Sequence, residues 1–345
     1  MDILITGGNG LLGHHLIPAL EDGGNTARVL VLPGEDASFL EARGTMVVRG
    51  DITQADTLAK AVDGVEAVLH LAGMMGVWRP IADYHAVNVL GTENVCRAAL
   101  AAGVRRLVHV SSWTVYGMAL GTPAREDFLL TPFREPYAIT KAAGDALVQR
   151  MIVEEHLPAV IIRPGTFFGP MDRLHFKRMA DRVAAGRAII VGRGDNALPF
   201  VYVTDVVQGL LRALDRDDAV GSAYNVTTDR PPTQLQFLEA IADELGVRPP
   251  RFHVPYRTLY ASGYLAEGVA MARQSCRQPV LTRLGVKLFG TDNRHSIEKA
   301  RRELGFEPQV PVREGIRRAA AWYREVSADF SATARTATAE KLQHA

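Results

Sequence analysis

Tyr137 and Lys141 stand four residues apart in the stretch PYAITKAAG. On a helix that spacing puts both side chains on one face, so a phenol and an ammonium can reach the same spot. A phenol titrates near 10 and is a poor base at neutral pH; a neighbouring positive charge favours phenolate and brings it into working range. Read alone, the pair is equally what a plain helix surface displays. A nearby hydroxyl would complete a set able to exchange a proton with an alcohol or carbonyl oxygen. HVSSWTVYG offers Ser111, which could serve a local hydrogen bond, and Ser112, the better placed of the two.

A second constellation lies at the start of the chain. TGGNGLLG follows a short apolar strand and opens a helix. Gly7 permits the tight turn, Gly10 lets the backbone approach a pyrophosphate, and Gly13 allows helix to pack closely on strand; the helix N-terminus then offers free N–H groups to phosphates. Gly7, Asn9, Gly10, Leu11, Leu12 and Gly13 are therefore candidate dinucleotide contacts. In RGDI, the Asp51 carboxylate could accept from an adenine amino group, beside Ile52. In HLAG, Leu71, Ala72 and Gly73 are small enough for a ribose to lie close. Strand carboxyl ends are where open parallel sheets bind ligands. With the pyrophosphate on the first turn, Ser112 falls near the nicotinamide, whose positive ring adds to the pull on the Tyr137 proton. At the end of the second strand, an acid would hold an adenosine 2′-hydroxyl and an arginine a 2′-phosphate. Leu32 stands there, followed by Pro33 and Gly34. Glu35 and Asp36 just beyond would repel a phosphate, which leans toward NAD over NADP.

These residues need a frame. DILITG, ARVLVLPG, TMVVRGD, AVLHLAG, RLVHVSS and AVIIRPG are short runs rich in Val, Ile and Leu, and most are separated by amphipathic stretches such as ADTLAKAVDG, YHAVNVLGTENVCRAALAAG and AITKAAGDALVQRMIVEEH. Continuous apolar strands alternating with helices indicate a parallel sheet covered on both faces. The expectation is an α/β, Rossmann-type doubly wound sheet with a smaller, interleaved C-terminal substrate lobe. The boundaries read as residues 1–164 for the dinucleotide-binding part, joined by a returning segment at about 196–228. Residues 165–195 and 229–328 form the lobe, and 329–345 a polar tail, mobile or loosely helical.

Composition excludes several partners. The chain has 345 residues and a formal net charge of +1, which argues against nucleic acid or an anionic membrane surface. Two cysteines, Cys96 and Cys276, make neither a disulfide framework nor a metal cluster and read as buried thiols; no metal is expected. No basic leader and no long uncharged apolar run is present, so a cytoplasmic location without an integral membrane segment is the default. His70 and His109 sit inside apolar strands and read as satisfied core histidines. His14 and His15 open a helix and read as solvated. Arg313 to Arg318 read as an exposed helix face.

The order TGGNGLLG, GDI, HLAG, NVLGTENV, VSSWTVYG, YAITK, RPGTFFGP and FVYVTDVV resembles, over about residues 1 to 325, an extended short-chain dehydrogenase/reductase of the nicotinamide-dependent epimerase/dehydratase group. The resemblance implies Tyr137 as acid/base, Lys141 as its electrostatic partner and ligand of the nicotinamide ribose, and Ser112 as donor to the substrate oxygen. It makes Asn88 structural or water-binding, brings Pro164 to Phe167, with Thr166, near the nicotinamide amide, and implies a homodimer through helices around Tyr84–Ala102 and Tyr137–Glu155.

Within that group, 4,6-dehydratases carry an Asp-Glu pair where this chain has Trp113, Thr114 and Val115, so dehydration is not expected. Sugar-nucleotide enzymes usually place an arginine for the diphosphate where Leu198 stands, with Arg163, Arg173, Lys177 and Arg193 as possible substitutes. GRGDNALPF and NRHSIEKARRELGFEPQVPVREGI instead are similar to the 3β-hydroxysteroid dehydrogenase and sterol-4α-carboxylate 3-dehydrogenase branch. GMMGVWRP and PYRTLYASGYLAEGVAMARQ offer Met, Trp, Tyr and Leu to an apolar small-molecule substrate. Met74, Trp78, Trp113, Thr114 and His175 are the candidate substrate residues. The expected reaction is NAD(P)-dependent interconversion of a secondary alcohol and ketone on a sterol-like or polyketide-like molecule. The alternatives are a nucleotide-sugar 4-epimerase or 4-ketoreductase, or a dinucleotide-binding sensor without turnover.

Overall fold

The protein is represented by a computed structural model that describes residues 1–273, 275 and 278–343, with side chains through residue 327; Cys276 lies outside the described residues. Strand β1 (Asp2–Thr6) passes through the glycine turn into α1 (Leu11–Asp22), followed by β2 (Thr26–Val31), α2 (Ser38–Ala42), β3 (Met46–Arg49), α3 (Ala55–Val62) and β4 (Ala67–His70). Next come α4 (Ile81–His85), a π-helical segment Ala86–Gly91, α5 (Thr92–Ala102), β5 (Arg106–Val110), a 3-10 turn Trp113–Tyr116, α6 (Pro136–Glu154) and β6 (Ala159–Pro164). The later half contains β7 (Thr166–Phe168), α7 (Phe176–Ala184), β8 (Ile190–Val191), β9 (Phe200–Tyr202), α8 (Val203–Asp215), β10 (Ala223–Val226) and α9 (Gln234–Leu245). It closes with β11 (His253–Val254), α10 (Tyr256–Ala272), α11 (Arg283–Gly290) and α12 (Val312–Gln343).

Seven parallel strands form one sheet in the order β10-β6-β5-β4-β1-β2-β3. The apolar runs are buried on both faces: every residue of β4, β5 and β6 is buried. One core cluster packs α1 and α8 on the sheet, and the other packs α3, α5 and α6 on its opposite face. Strand order reverses at β1 and β4, whose carboxyl ends carry Gly7 and Leu71. That reversal opens the crevice where such sheets bind ligands.

The stretch expected as one helix from Tyr84 to Ala102 is helical throughout but widens to a π-helix in its middle. Asn88 and Gly91 fall in the π-helical segment, and a β-carbon on Gly91 would meet the Ile52 side chain at 2.8 Å. Helix α10 also departs from expectation: Tyr264, Leu265, Val269 and Met271 are exposed, and only Leu259 of that helix lines the main cavity. No described helix is long and apolar enough to cross a membrane.

Among the histidines, His70 is satisfied. Thr92 donates its hydroxyl proton to the Asn88 carbonyl, so it can only accept from His70 Nε2 (3.0 Å); Nδ1 then accepts from Thr6 (2.7 Å). Burial holds this imidazole down at about 3, with Lys141 adding to the effect, and it is neutral. His109 corrects the expectation, since neither ring nitrogen has a hydrogen-bond partner among the described residues. His15 is likewise not simply solvated: its Nε2 lies 3.0 Å from the Pro170 carbonyl, and His14 stacks on Phe39. Cys96 is fully buried, as expected for an inert thiol.

Candidate active site

A cavity of about 1240 Å³ runs along the carboxyl ends of the strands, from Gly7, Gly10, Leu11 and Leu12, past Leu71 and Gly73, to Ser112, Tyr137 and Lys141. Helix α1 enters it with Gly10 as N-cap, no side-chain cap and no acid in its first turn. Its N–H groups are thus uncommitted to side chains, the condition a phosphate requires. Gly7 has φ +70°, and a β-carbon there would sit 2.7 Å from the Ala72 backbone. Gly13 lies off the cavity wall; its β-carbon would overlap the Gly8 carbonyl at 1.9 Å, so it serves helix packing alone.

Helix α6 begins at Glu135, whose carboxylate accepts from Ala138 N, with Pro136 in the first turn. That start is a good one for a helix and fixes Tyr137 at the cavity wall. Ser112 acts to lower the phenol pKa, and its hydroxyl lies 2.9 Å from Thr114 Oγ1 and accepts from Thr114 N. Lys141 is buried and donates to the Val110 carbonyl at 2.7 Å. Ser111 points elsewhere: its hydroxyl donates to Asp145 (2.6 Å), which is clasped by Arg163 through two bonds of 2.8 Å. Asp145 is four residues beyond Lys141 on α6, and its charge works to raise the lysine pKa.

Without a bound cofactor ring, burial dominates the electrostatics of the pair. Burial pushes Tyr137 up to about 12, with the Ser112 hydrogen bond acting against it. Burial brings Lys141 down to about 8, with Asp145 opposing. Desolvation disfavours each charged form more than the neighbouring groups restore it. The phenol of the free protein is therefore protonated at neutral pH.

Asn88 joins the parts. Its side chain accepts from Met74 N (2.7 Å) and donates to Met74 O (3.1 Å) and to Thr140 Oγ1 (3.0 Å), between Tyr137 and Lys141 in sequence. Met74 is thereby turned off the wall, and Met75 lines the cavity in its place, with Trp78. Trp113, Thr114, Pro164, Thr166 and His175 also line it, and the Trp113 indole donates to Thr166 Oγ1 (2.9 Å).

Asn9, Asp51, Ile52 and Ala72 are not on this wall. Ile52 is buried in the core, Asp51 accepts from Thr53 N, and Asn9 donates to Glu35 (3.1 Å) and to the Asp36 carbonyl (2.6 Å). Sequence reading missed Glu135, Met75, Arg178 and Arg182, all on the wall. A signal existed for the last two: with His175 and Met179 they recur at the spacing of one helix face. Of the cations that could grip a diphosphate, Arg163 is consumed by Asp145, Lys177 pairs with Asp181 and Arg193 with Asp195, while Arg173 lines the cavity without an ion pair to a described residue; Leu198 is in the core.

Residues 3–227 match the family described as NAD dependent epimerase/dehydratase. The chain is 31% identical over 328 residues to a 2-alkyl-3-oxoalkanoate reductase of Stenotrophomonas maltophilia (strain K279a), covering 92% of this chain and 98% of that protein. It is 29% identical over 342 residues to a 3 beta-hydroxysteroid dehydrogenase/Delta 5-->4-isomerase of Mycobacterium tuberculosis (strain ATCC 25618 / H37Rv), covering 93% and 90%. The crystal structure of gox2253 superposes with a TM-score of 0.79 at 30% identity, covering 94% of this chain and 98% of that one.

Proposed function

The chain belongs to the NAD dependent epimerase/dehydratase family and is a dehydrogenase/reductase of it, and from that premise we propose that it interconverts a ketone and a secondary alcohol on a largely apolar molecule. The observation that carries this reading is the meeting of Ser112, Tyr137 and Lys141 on the wall of a cavity that also holds the uncapped α1 terminus. A bound nicotinamide supplies or accepts the hydride. Ser112 donates to the substrate oxygen and orients it. In reduction Tyr137 gives its phenolic proton to that oxygen as the carbonyl becomes an alcohol; in oxidation the proton returns. Lys141, one helical turn after Tyr137 on the same cavity wall, would favour the charged form of the phenol and, once freed from the Val110 carbonyl, can reach a ribose hydroxyl.

NAD is the preferred cofactor in this reading. The acid missing at Leu32 is supplied by the loop: Glu35 folds back, taking a hydrogen bond from Leu32 N (3.4 Å) and from Asn9 (3.1 Å). A carboxylate there suits an adenosine 2′-hydroxyl and opposes a 2′-phosphate. Three of the four cations that could grip a nucleotide-sugar diphosphate, Arg163, Lys177 and Arg193, are engaged by carboxylates, so Arg173 alone of that set would have to serve.

The test is Tyr137→Phe. Turnover of any active ketone or alcohol should fall by about three orders of magnitude or more, as loss of a general acid and its hydrogen bond requires, while NADH binding by fluorescence persists. Wild-type-like turnover would refute the assignment.

A further inference from the structure

Helix α7 presents His175, just before its first residue, then Arg178, Met179 and Arg182 to the main cavity. These positions form one helical stripe, while Phe176, Ala180 and Val183 are buried in the core on the other side. Arg79 and Arg173 line the same cavity. Arg79, Arg173 and Arg178 form no ion pair with a described residue, and Arg182 reaches only the Val280 carbonyl (3.3 Å).

The wall has little to neutralise them. Its only carboxylates among the described residues are Glu135 and Asp172. Glu135 caps α6, and Asp172, buried, accepts from Leu174 N (3.0 Å), His175 N (2.8 Å) and Phe176 N (2.9 Å). Both are engaged by backbone N–H groups, and Asp172 Oδ1 also lies 3.8 Å from His175 Nδ1. Other parts of the wall are hydrocarbon, with Ile189, Val191, Leu238, Leu259 and Phe289.

Unpaired guanidiniums beside an apolar chamber are complementary to an amphipathic anion. We propose that the substrate carries a carboxylate, held by Arg178 with Arg173 and Arg182 beside it, and a hydrocarbon body lying against the apolar wall. A single guanidinium fork matches a carboxylate with two parallel hydrogen bonds. This rests on the ketone/alcohol reading and adds to it a specificity site on α7.

The test uses medium-chain β-, γ- and δ-oxo acids, each beside its methyl ester, as substrates with NADH. At least one acid should exceed its ester by tenfold or more in kcat/KM, mainly through KM. Arg178→Ala should cut that ratio to under threefold, Arg178→Lys should keep part of it, and Lys177→Gln, on the same helix but off the cavity, should keep it all. Equal rates for acid and ester, or a ratio untouched in Arg178→Ala, overturn the proposal. Loss of NADH binding in Arg178→Ala overturns it too, by assigning the guanidinium to the cofactor, and so does tighter binding of UDP than of any acid. If no ketone is reduced although NADH binds, the ketone reading fails, and calorimetry of the same acids into the NADH complex still decides the anion site. Binding that weakens tenfold in Arg178→Ala supports it; no binding sinks it.

Discussion

Lys141 is held at a cost. Its ammonium is buried with one carbonyl acceptor, and burial brings its pKa from 10.5 to about 8. Below about pH 8 the folded chain carries this buried charge while the unfolded chain solvates it freely. Between about 8 and 10.5 the unfolded state binds more protons than the folded one, so stability contributed at this site rises with pH. Lys141→Met should therefore raise the stability of the cofactor-free protein at pH 7, by roughly 1–3 kcal/mol after the unpaired Val110 carbonyl is counted, and abolish turnover. The gain should shrink as pH climbs through about 10; urea melts at several pH values would show a constant or growing gain if the idea is wrong. Glu35 makes a second prediction at this scale. Glu35→Ser removes the carboxylate at the end of β2 and leaves Arg49, which donates to the Glu35 and Leu32 carbonyls. The ratio of kcat/KM for NADH over NADPH should fall by about tenfold, the effect of one lost charge contact of about 1.4 kcal/mol; an unchanged ratio would exclude Glu35 as the discriminating acid.

At the scale of elements, α6 is seated against the π-helical segment through Gly144. A β-carbon there would meet the Asn88 carbonyl at 2.4 Å, a backbone atom that cannot swing aside. Gly144→Ala should cost about 1–3 kcal/mol as an overpacked contact and reduce turnover further than stability alone explains, because α6 carries Tyr137 and Lys141. Thermal melts and kcat measured on the same sample check this; a variant with wild-type kcat would separate the seat from the site. The strands, the glycine turn and the Tyr137/Lys141 pair were legible in sequence because each is a local pattern: apolar runs, a glycine spacing, a shared helix face. The cavity wall was not. Whether Met74 or Met75 faces the ligand depends on the Asn88 side chain fourteen residues on. Helix α10 supplies just Leu259 to the main cavity because α11 and β8 cover it from a direction that its own sequence does not encode. The upward push on the Tyr137 phenol was not legible for a related reason: charge proximity is readable from spacing, whereas desolvation is a property of the assembled fold.

At the scale of the whole molecule, the cavity is walled by both halves of the chain, from Gly7 to Phe289. A dinucleotide bound there braces the fold. Excess NADH at about 100 times its Kd should add about 2.7 kcal/mol to stability and raise the melting temperature, and Gly7→Ala, strained at φ +70° and blocked by Ala72, should lose that rise. Equal shifts in both proteins would place the cofactor elsewhere. The strand order has a further consequence, for the chain as it is made. Strand β10, which completes the sheet beside β6, is synthesised only after α7, β8, β9 and α8. At roughly 5–20 residues per second, β6 leaves the ribosome seconds before its neighbour exists. For that interval the nascent chain displays a strand that is apolar from Ala159 to Ile162 with an open hydrogen-bonding edge, a form prone to pair with another chain. Translation that stalls between Pro164 and Ala223 would thus release an adhesive fragment, whereas one that passes Val226 has already sealed it.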